Sequence, residues 1–255
     1  MIRKPSISVV IMTKNEAEDI PACIDSALWA NEVIILDCGS ADNTLDICKK
    51  YAVTIVNTDW PGFGEQSNRA LNIISSDWCF LVDADERIPE KLKQEILYTI
   101  NSNPVHAAYR LPRLNFFMGK AMWHSLSPKG DLPVKLLRKG LARFQYEVHP
   151  EPIVNGSIGK LTNYLLHYPF KNLAELLDKA NYYSSLCVAK LESKNATPGI
   201  TKTLFHASWA FIRIYFLRLG FLDGWPGFII AFSNFEGVFY KYAKLLEKTR
   251  AKNRG

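Results

Sequence analysis

Trp78-Cys79-Phe80-Leu81-Val82-Asp83-Ala84-Asp85-Glu86 is the stretch on which the fold turns. A short apolar run bounded by polar residues has the form of a strand buried on both faces, and open α/β folds bind ligands just beyond the carboxyl ends of such strands. Asp83, Asp85 and Glu86 therefore emerge together where a ligand is expected. Spaced i and i+2, Asp83 and Asp85 can turn towards one pocket and hold a hard divalent ion against a diphosphate. A turn followed by a helix start accounts for the same residues, with Pro89 in the first turn and Glu86 and Glu90 at the positive end of the dipole. On these residues alone both readings stay open.

Upstream, the chain repeats one unit. Ile7 to Met12 is rich in β-branched residues and ends in the polar loop Thr13-Lys14-Asn15-Glu16, after which Pro21 opens a helix to about Trp29. Glu32 to Leu36 reads as a second buried strand. It closes on Asp37-Cys38-Gly39-Ser40-Ala41-Asp42-Asn43-Thr44, a turn-and-cap cluster that starts a helix through Tyr51. Val53 to Val56 is a third strand, and a helix from about Glu65 to Ile74 leads to the fourth, which ends at Asp83. Such alternation with short connections predicts right-handed crossovers and a mostly parallel, Rossmann-like sheet with helices on both faces. Thr13, Asn15, Glu16, Asp37, Asp83 and Asp85 then share one rim. Asp37 can meet a nucleoside or cap the turn at Gly39. The ligand role is favoured, because Ser40, Asp42 and Asn43 are at hand as caps.

At 255 residues the chain is long enough for one α/β domain with an appendage, and 48% hydrophobic residues exclude a disordered chain. A net charge of +6 fits contact with phosphates, anionic lipid or nucleic acid. The cysteines, at 23, 38, 48, 79 and 187, form no C-x-x-C and number five, so neither a zinc ribbon nor a disulfide framework is expected. A reducing cytosol is the simplest compartment. The first apolar stretch turns polar too soon for a signal peptide. No G-x-G-x-x-G follows the first strand and no G-x-x-x-x-G-K-[ST] occurs, which argues against dinucleotide oxidoreductases and P-loop NTPases.

Three stretches, Ser8 to Glu16, Leu36 to Thr44 and Leu81 to Glu86, together resemble the family-2 inverting glycosyltransferases of GT-A fold. The resemblance implies a nucleotide-diphosphate-sugar donor, with Thr13, Asn15, Glu16 and Asp37 around the nucleoside and Asp83 and Asp85 as the D-x-D that holds Mg²⁺ or Mn²⁺ on the diphosphate. Asp83 is shared between ribose and metal, and Glu86 is expected to cap the next helix. Phe63 to Leu71 resembles the family's helix before D-x-D and places Asn68 and Arg69 near the nucleotide sugar. Two positions depart from the family pattern. Cys38 stands where a second acid is common, and Ser67 where a basic residue is frequent, with Arg69 a neighbouring substitute.

From Val105 the strands shorten, to Ala107–Leu111, Val134–Leu137 and Phe144–Val148. Between them Phe116 to His124 forms an aromatic, Gly-bearing loop that either closes over sugar or fills core. An inverting displacement needs one general base near the attacking hydroxyl. Glu151 is the first candidate and His149 the second. A His-Glu pair occupies this region in the related lipopolysaccharide-core glucosyltransferases, whereas here Pro150 separates the two residues. His149 has metal ligation and plain structure as alternatives, and His167 poses the same choice.

A helix from Leu173 to Glu192 and a break at Pro198-Gly199 precede two aromatic segments, Thr203 to Leu222 and Trp225 to Leu246. Arg213 and Arg218 inside the first argue for helices lying at a membrane surface rather than crossing it. The tail after Tyr240 carries Lys241, Lys244, Lys248, Arg250, Lys252 and Arg254 against Glu247, which fits anionic lipid. A hairpin packed on the catalytic domain with a solvated tail is the other reading. No nucleic-acid module is present. Tyr215 to Gly224 with Gly227-Phe228 resembles the C-terminal signature of the bacterial lipopolysaccharide-core β-1,4-glucosyltransferase group.

The expected organisation is a GT-A catalytic domain over residues 1–170, with a nucleotide-sugar half to 104 and an acceptor half from 105, then a helical membrane-associating extension over 171–255. The expected activity is transfer of a hexose, glucose from UDP-glucose by resemblance, to a lipid-linked saccharide such as a lipopolysaccharide core. The expected place is peripheral, on the cytoplasmic face of the inner membrane. The rivals are a sugar-1-phosphate nucleotidyltransferase, which lacks its Gly- and Arg-rich loop here, and a non-catalytic membrane-bound nucleotide-binding scaffold.

Overall fold

The computed structural model describes residues 4–145, 151–193 and 199–252. In chain order the elements are β1 (Ile7–Thr13), α1 (Ile20–Ala27), β2 (Glu32–Asp37), α2 (Thr44–Cys48), β3 (Thr54–Asn57), α3 (Phe63–Ile73), β4 (Trp78–Asp83), β5 (Glu86–Arg87), α4 (Glu90–Asn101) and β6 (Ala108–Arg110). There follow β7 (Arg113–Phe117), β8 (Lys120–Ala121), β9 (Val134–Arg138), β10 (Ala142–Phe144), β11 (Pro152–Val154), β12 (Ile158–Lys160) and β13 (Leu165–His167). The helices α5 (Leu173–Ser193), α6 (Ile200–Ile212) and α7 (Trp225–Lys252) end the chain. These elements form two compact units, residues 1–113 with 128–167, and residues 114–127 with 168–255.

The first unit is built on a sheet of order β12-β6-β9-β4-β1-β2-β3. β4, β1, β2 and β3 run parallel, and β9 lies antiparallel between β4 and β6. Side chains alternate between two buried faces, which is why the strands read as unbroken apolar runs. Ile7, Val9 and Ile11 with Trp78, Phe80 and Val82 pack on α1 and α4, while Val10, Cys79 and Leu81 pack on α3 through Ala70, Leu71 and Ile74. Helices therefore cover both faces, as expected of a GT-A fold. The register sets Thr13 beside Asp37 and Met12 beside Asp83, so β1, β2 and β4 end on a common rim.

In the second unit Phe117, Met122, Leu176, Ile214, Ile230 and Ala231 form a core of their own. The loop Leu114–Ser127, assigned from sequence to the acceptor half, clusters here because Phe117 and Met122 are fully buried in that core. α6 passes into a π-helical turn at Arg213–Leu217 and a 3₁₀ turn at Gly220–Asp223 before α7. This reversal is tight. A Cβ on Gly220 would lie 2.7 Å from the Ile214 carbonyl oxygen, and one on Gly227 only 2.0 Å from that of Gly220, so both positions require glycine. Among the described residues no helix is long and apolar enough to cross a membrane.

Candidate active site

Asp83 closes β4 and Asp85 follows in the two-residue link to β5. The link is held from several sides. The Ala84 N–H donates to the Met12 carbonyl at 3.1 Å, and the Asp83 N–H to Glu86 Oε2 at 2.9 Å. The Arg87 guanidinium donates to the carbonyls of Ala84 and Glu86 at 2.8 and 2.9 Å and to Asp19 Oδ1 at 2.7 Å. With its backbone fixed this way, the loop presents its carboxylates at little further entropic cost.

Glu86 does not cap α4. Pro89 occupies that N-cap with no side-chain hydrogen bond, and Glu86 is fully buried. It accepts from Lys135 Nζ at 2.8 Å and from Arg113 at 3.2 Å, and Lys135 also donates to Asp83 Oδ2 at 2.7 Å. Arg113 in turn forms a fork with Asp131, at 2.8 and 3.0 Å. A buried carboxylate needs a cation, which explains why Glu86 turned inward once β9 delivered Lys135. Burial alone would pull the Lys135 ammonium down, but Asp83 and Glu86 outweigh it and raise its pKa. Arg113 is held charged in the same way by Glu86 and Asp131.

β13 pairs antiparallel with β5, His167 opposite Glu86, and this brings His167 Nε2 to 3.4 Å from Asp85 Oδ2. Asp83, Asp85, Glu86 and Asp131 thus stand against the fixed charges of Lys135 and Arg113, leaving the cluster acidic. Carboxylate oxygens are the donor type that suits a hard divalent ion such as Mg²⁺ or Mn²⁺, but among the described residues no three His, Cys, Asp or Glu side chains are gathered so as to hold one. Sequence reasoning missed Lys135, Arg113 and Asp131 and gave His167 little support. The available signals were one lysine inside the apolar strand Val134 to Leu137 and one histidine directly after Leu165-Leu166.

The nucleoside residues are placed on the rim, but several spend their side chains on the protein itself. Asp37 accepts from the Gly39 and Ser40 N–H groups at 2.9 Å each and from Ser40 Oγ at 2.5 Å, so it is a buried turn cap, contrary to the favoured ligand role. Asn15, in left-handed backbone at φ 57°, accepts from the Ala41 N–H at 2.7 Å. The Glu16 N–H donates to Thr44 Oγ1 and that of Ala17 to Asp42, which stitches the two rim loops together. Thr13 Oγ1 is buried with no hydrogen-bond partner among the described residues.

Asn68 and Arg69 do not join this rim cluster. The Asn68 amide is spent on both backbone groups of Phe144, at 2.7 and 3.0 Å, which pins β10 to α3. Arg69 is turned to Asp59 at 2.5 Å and to Thr58, rather than left as a substitute for the cation missing at Ser67. The departure at Cys38 is explained by burial. Its Sγ receives Gln66 Nε2 at 3.0 Å, and burial pushes the thiol up to about 11, so an acid there would be a buried charge. Glu151 is exposed just before β11, and His149 lies outside the described residues.

A parallel sheet with an acid pair at a strand end, braced by a buried lysine, is the arrangement that the sequence resemblance to family-2 glycosyltransferases led us to expect of the strand-end rim, the lysine excepted. Residues 8–157 match Glycosyl transferase family 2, and the chain belongs to that family. The lipopolysaccharide core biosynthesis glycosyltransferase LpsC of Rhizobium meliloti is 27% identical over the whole of this chain and 97% of its own length. An uncharacterized glycosyltransferase of Rickettsia prowazekii is 26% identical over 97% of this chain and 87% of its own. Among solved structures, the mannosyltransferase PcManGT from Pyrobaculum calidifontis, in complex with GDP-Man and Mn²⁺, has a TM-score of 0.56 at 14% identity. It is covered over 88% of its chain by 96% of this one, and the likeness establishes the fold.

Proposed function

We propose that this glycosyltransferase moves a hexose, glucose from UDP-glucose being the first donor to test, onto a lipid-linked saccharide such as a lipopolysaccharide core. The observation that carries the reading is the Asp83–Asp85 pair at the end of β4, with His167 3.4 Å from Asp85 and Lys135 2.7 Å from Asp83. The similarity to LpsC favours the core saccharide as acceptor. Fold alone does not select a substrate.

Asp83 and Asp85 would hold a divalent ion, which would supply charge neutralisation for the departing diphosphate. Lys135 keeps Asp83 oriented and adds fixed positive charge beside it. The rim loops, locked by Asn15, Asp37 and Asp42, offer a rigid edge for the nucleoside. Glu151, exposed at the start of β11, is the candidate general base for one displacement with inversion.

The second unit favours work at a membrane. Phe205, Trp209, Ile212 and Phe216 recur at helical spacing and are 67%, 49%, 38% and 53% exposed. Lys202, Arg213 and Arg218 flank this stripe. An apolar face with long cationic side chains at its edge suits the headgroup region of an anionic bilayer, which supports the reading of a peripheral protein on the cytoplasmic face of the inner membrane.

The test is Asp85→Asn in a transfer assay with UDP-glucose, Mn²⁺ and detergent-solubilised lipopolysaccharide core. Loss of transfer by about two orders of magnitude or more is expected, in line with removal of a charge-stabilising group. Unchanged transfer sinks the metal assignment. For the surface, flotation with phosphatidylglycerol vesicles should carry wild type upward and leave Phe205→Ser/Trp209→Ser/Phe216→Ser behind, and equal flotation of both refutes lipid contact.

A further inference from the structure

The second unit contains a histidine–carboxylate pair that the reading above does not use. Asp223, at the end of the 3₁₀ turn before α7, is 2% exposed. Its Oδ2 accepts from the Ser125 N–H and Ser125 Oγ at 2.7 Å each and from the His124 N–H at 3.2 Å, which already fastens the 122–125 loop. Lys120 Nζ adds a bond to the Asp223 carbonyl at 2.8 Å. The other carboxylate oxygen, Oδ1, is spent on His124 Nδ1 at 2.9 Å. Burial pushes the Asp223 carboxyl up, but donation from Ser125 and His124 outweighs it and holds the group below the usual carboxylate range.

A carboxylate only accepts, so Nδ1 carries a proton, and in the neutral ring the lone pair is on Nε2. The His124 side chain is 32% exposed, and its Nε2 has no partner among the described residues. Fastening the loop required none of this, since Oδ2 and its donors do that without the ring. Trp123, 48% exposed, stands next in the chain and adds the kind of aromatic surface that packs on sugar rings. A tautomer fixed by Asp223 on a part-exposed ring, with a tryptophan next in the chain, is suited to one polar, hydroxyl-bearing ligand.

We propose that His124, oriented by Asp223, is a saccharide-binding residue whose Nε2 accepts a hydrogen bond from a hydroxyl of the acceptor. Asp223 acts as the positioning residue. The inference rests on the proposed saccharide acceptor and adds the group that recognises it.

Two measurements test it. The first compares His124→Phe, which keeps the ring volume, with His124→Gln, which restores a side-chain acceptor. The acceptor KM of the Phe variant should rise about 3- to 10-fold, the effect of one hydrogen bond, with donor KM and kcat within about 2-fold, and Gln should recover most of the loss. An unchanged acceptor KM, or equal loss in donor and acceptor parameters, overturns the assignment. The second needs no turnover, and a variant serves only to assign the resonance. In ¹⁵N-histidine-labelled wild type, deacylated lipopolysaccharide core oligosaccharide should shift the Nε2 resonance of a neutral, Nδ1-protonated imidazole that Asp223→Asn converts to the other tautomer. No shift at saturating oligosaccharide overturns the assignment. Wild type that transfers no sugar would refute the proposed function, and the resonance shift would then decide this inference by itself.

Discussion

Lys135→Met removes one charge and little volume, and the structure assigns it a definite cost. Lys135 Nζ lies 2.8 Å from Glu86 Oε2 and 2.7 Å from Asp83 Oδ2. The two carboxylates do not suffer equally. The Asp83 side chain is 33% exposed and can take up water, whereas Glu86 is 0% exposed and keeps the Arg113 guanidinium at 3.2 Å as its counter-ion, with the neutral Asp83 N–H at 2.9 Å. Breaking a buried ion pair costs about 3–5 kcal/mol, and the surviving Arg113 contact places this case near 3 kcal/mol. For a chain of this size that lowers Tm by about 6–12 °C. Most of the cost is the stranded Glu86 charge, so Lys135→Met/Glu86→Gln should be more stable than the single variant and regain about half the loss. Thermal melts followed by far-UV circular dichroism at pH 7, backed by urea titration, read both numbers. A loss under about 1 kcal/mol, or a double variant no better than the single, refutes the claim that Lys135 is the counter-ion that keeps Glu86 buried.

Other outcomes follow from the same coordinates. Gly227→Ala should destabilise the second unit by about 3 kcal/mol or more, because its Cβ would meet the Gly220 oxygen at 2.0 Å, and a urea midpoint equal to wild type would contradict the close approach. Asp223 has a folded pKa below its unfolded value, so its contribution is present above about pH 4 and fades as pH falls through the folded value. Asp223→Asn should accordingly be less stable at pH 7 and draw level towards pH 2, a convergence that urea titration at several pH values can deny. Cys23, Cys38, Cys48 and Cys79 are buried and Cys187 is exposed. A disulfide reagent at pH 8 should therefore label one thiol of the native protein rapidly, and a second fast thiol would contradict the packing of the first unit.

The parallel strands were legible because each is buried on both faces and so carries an unbroken apolar run, Ile7 to Met12 and Trp78 to Val82 being the clearest. The acids at their ends were legible for the same reason, since a strand end fixes where the next residues stand. What the sequence concealed is pairing at a distance. Glu86 and Lys135 are separated by 49 positions, and Asp85 reaches His167 only because β13 pairs with β5. No local pattern encodes such a meeting. Asp37 was misread because its competition was judged by residue type. Gly39, at φ 84°, bends the turn so that its N–H and that of Ser40 fall on the Asp37 carboxylate, and the neighbouring caps serve other partners. Asn68 and Arg69 were placed by likeness to a motif, whereas Phe144 and Asp59 were the nearer claimants.

The antiparallel β9 has a consequence for how the protein is born. A ribosome delivers β1 to β4 first, yet the strand that flanks β4 and brings Lys135 lies some fifty residues further on. Until β9 docks, Glu86 has no ammonium beside it and must stay hydrated, so the Asp83–Arg87 loop cannot settle in its final form. Assembly of the acid cluster is thereby tied to closure of a non-local pairing in the sheet, a slow, high-contact-order event. A nascent chain truncated before residue 134 would carry both aspartates without the ammonium that orients Asp83 and neutralises Glu86.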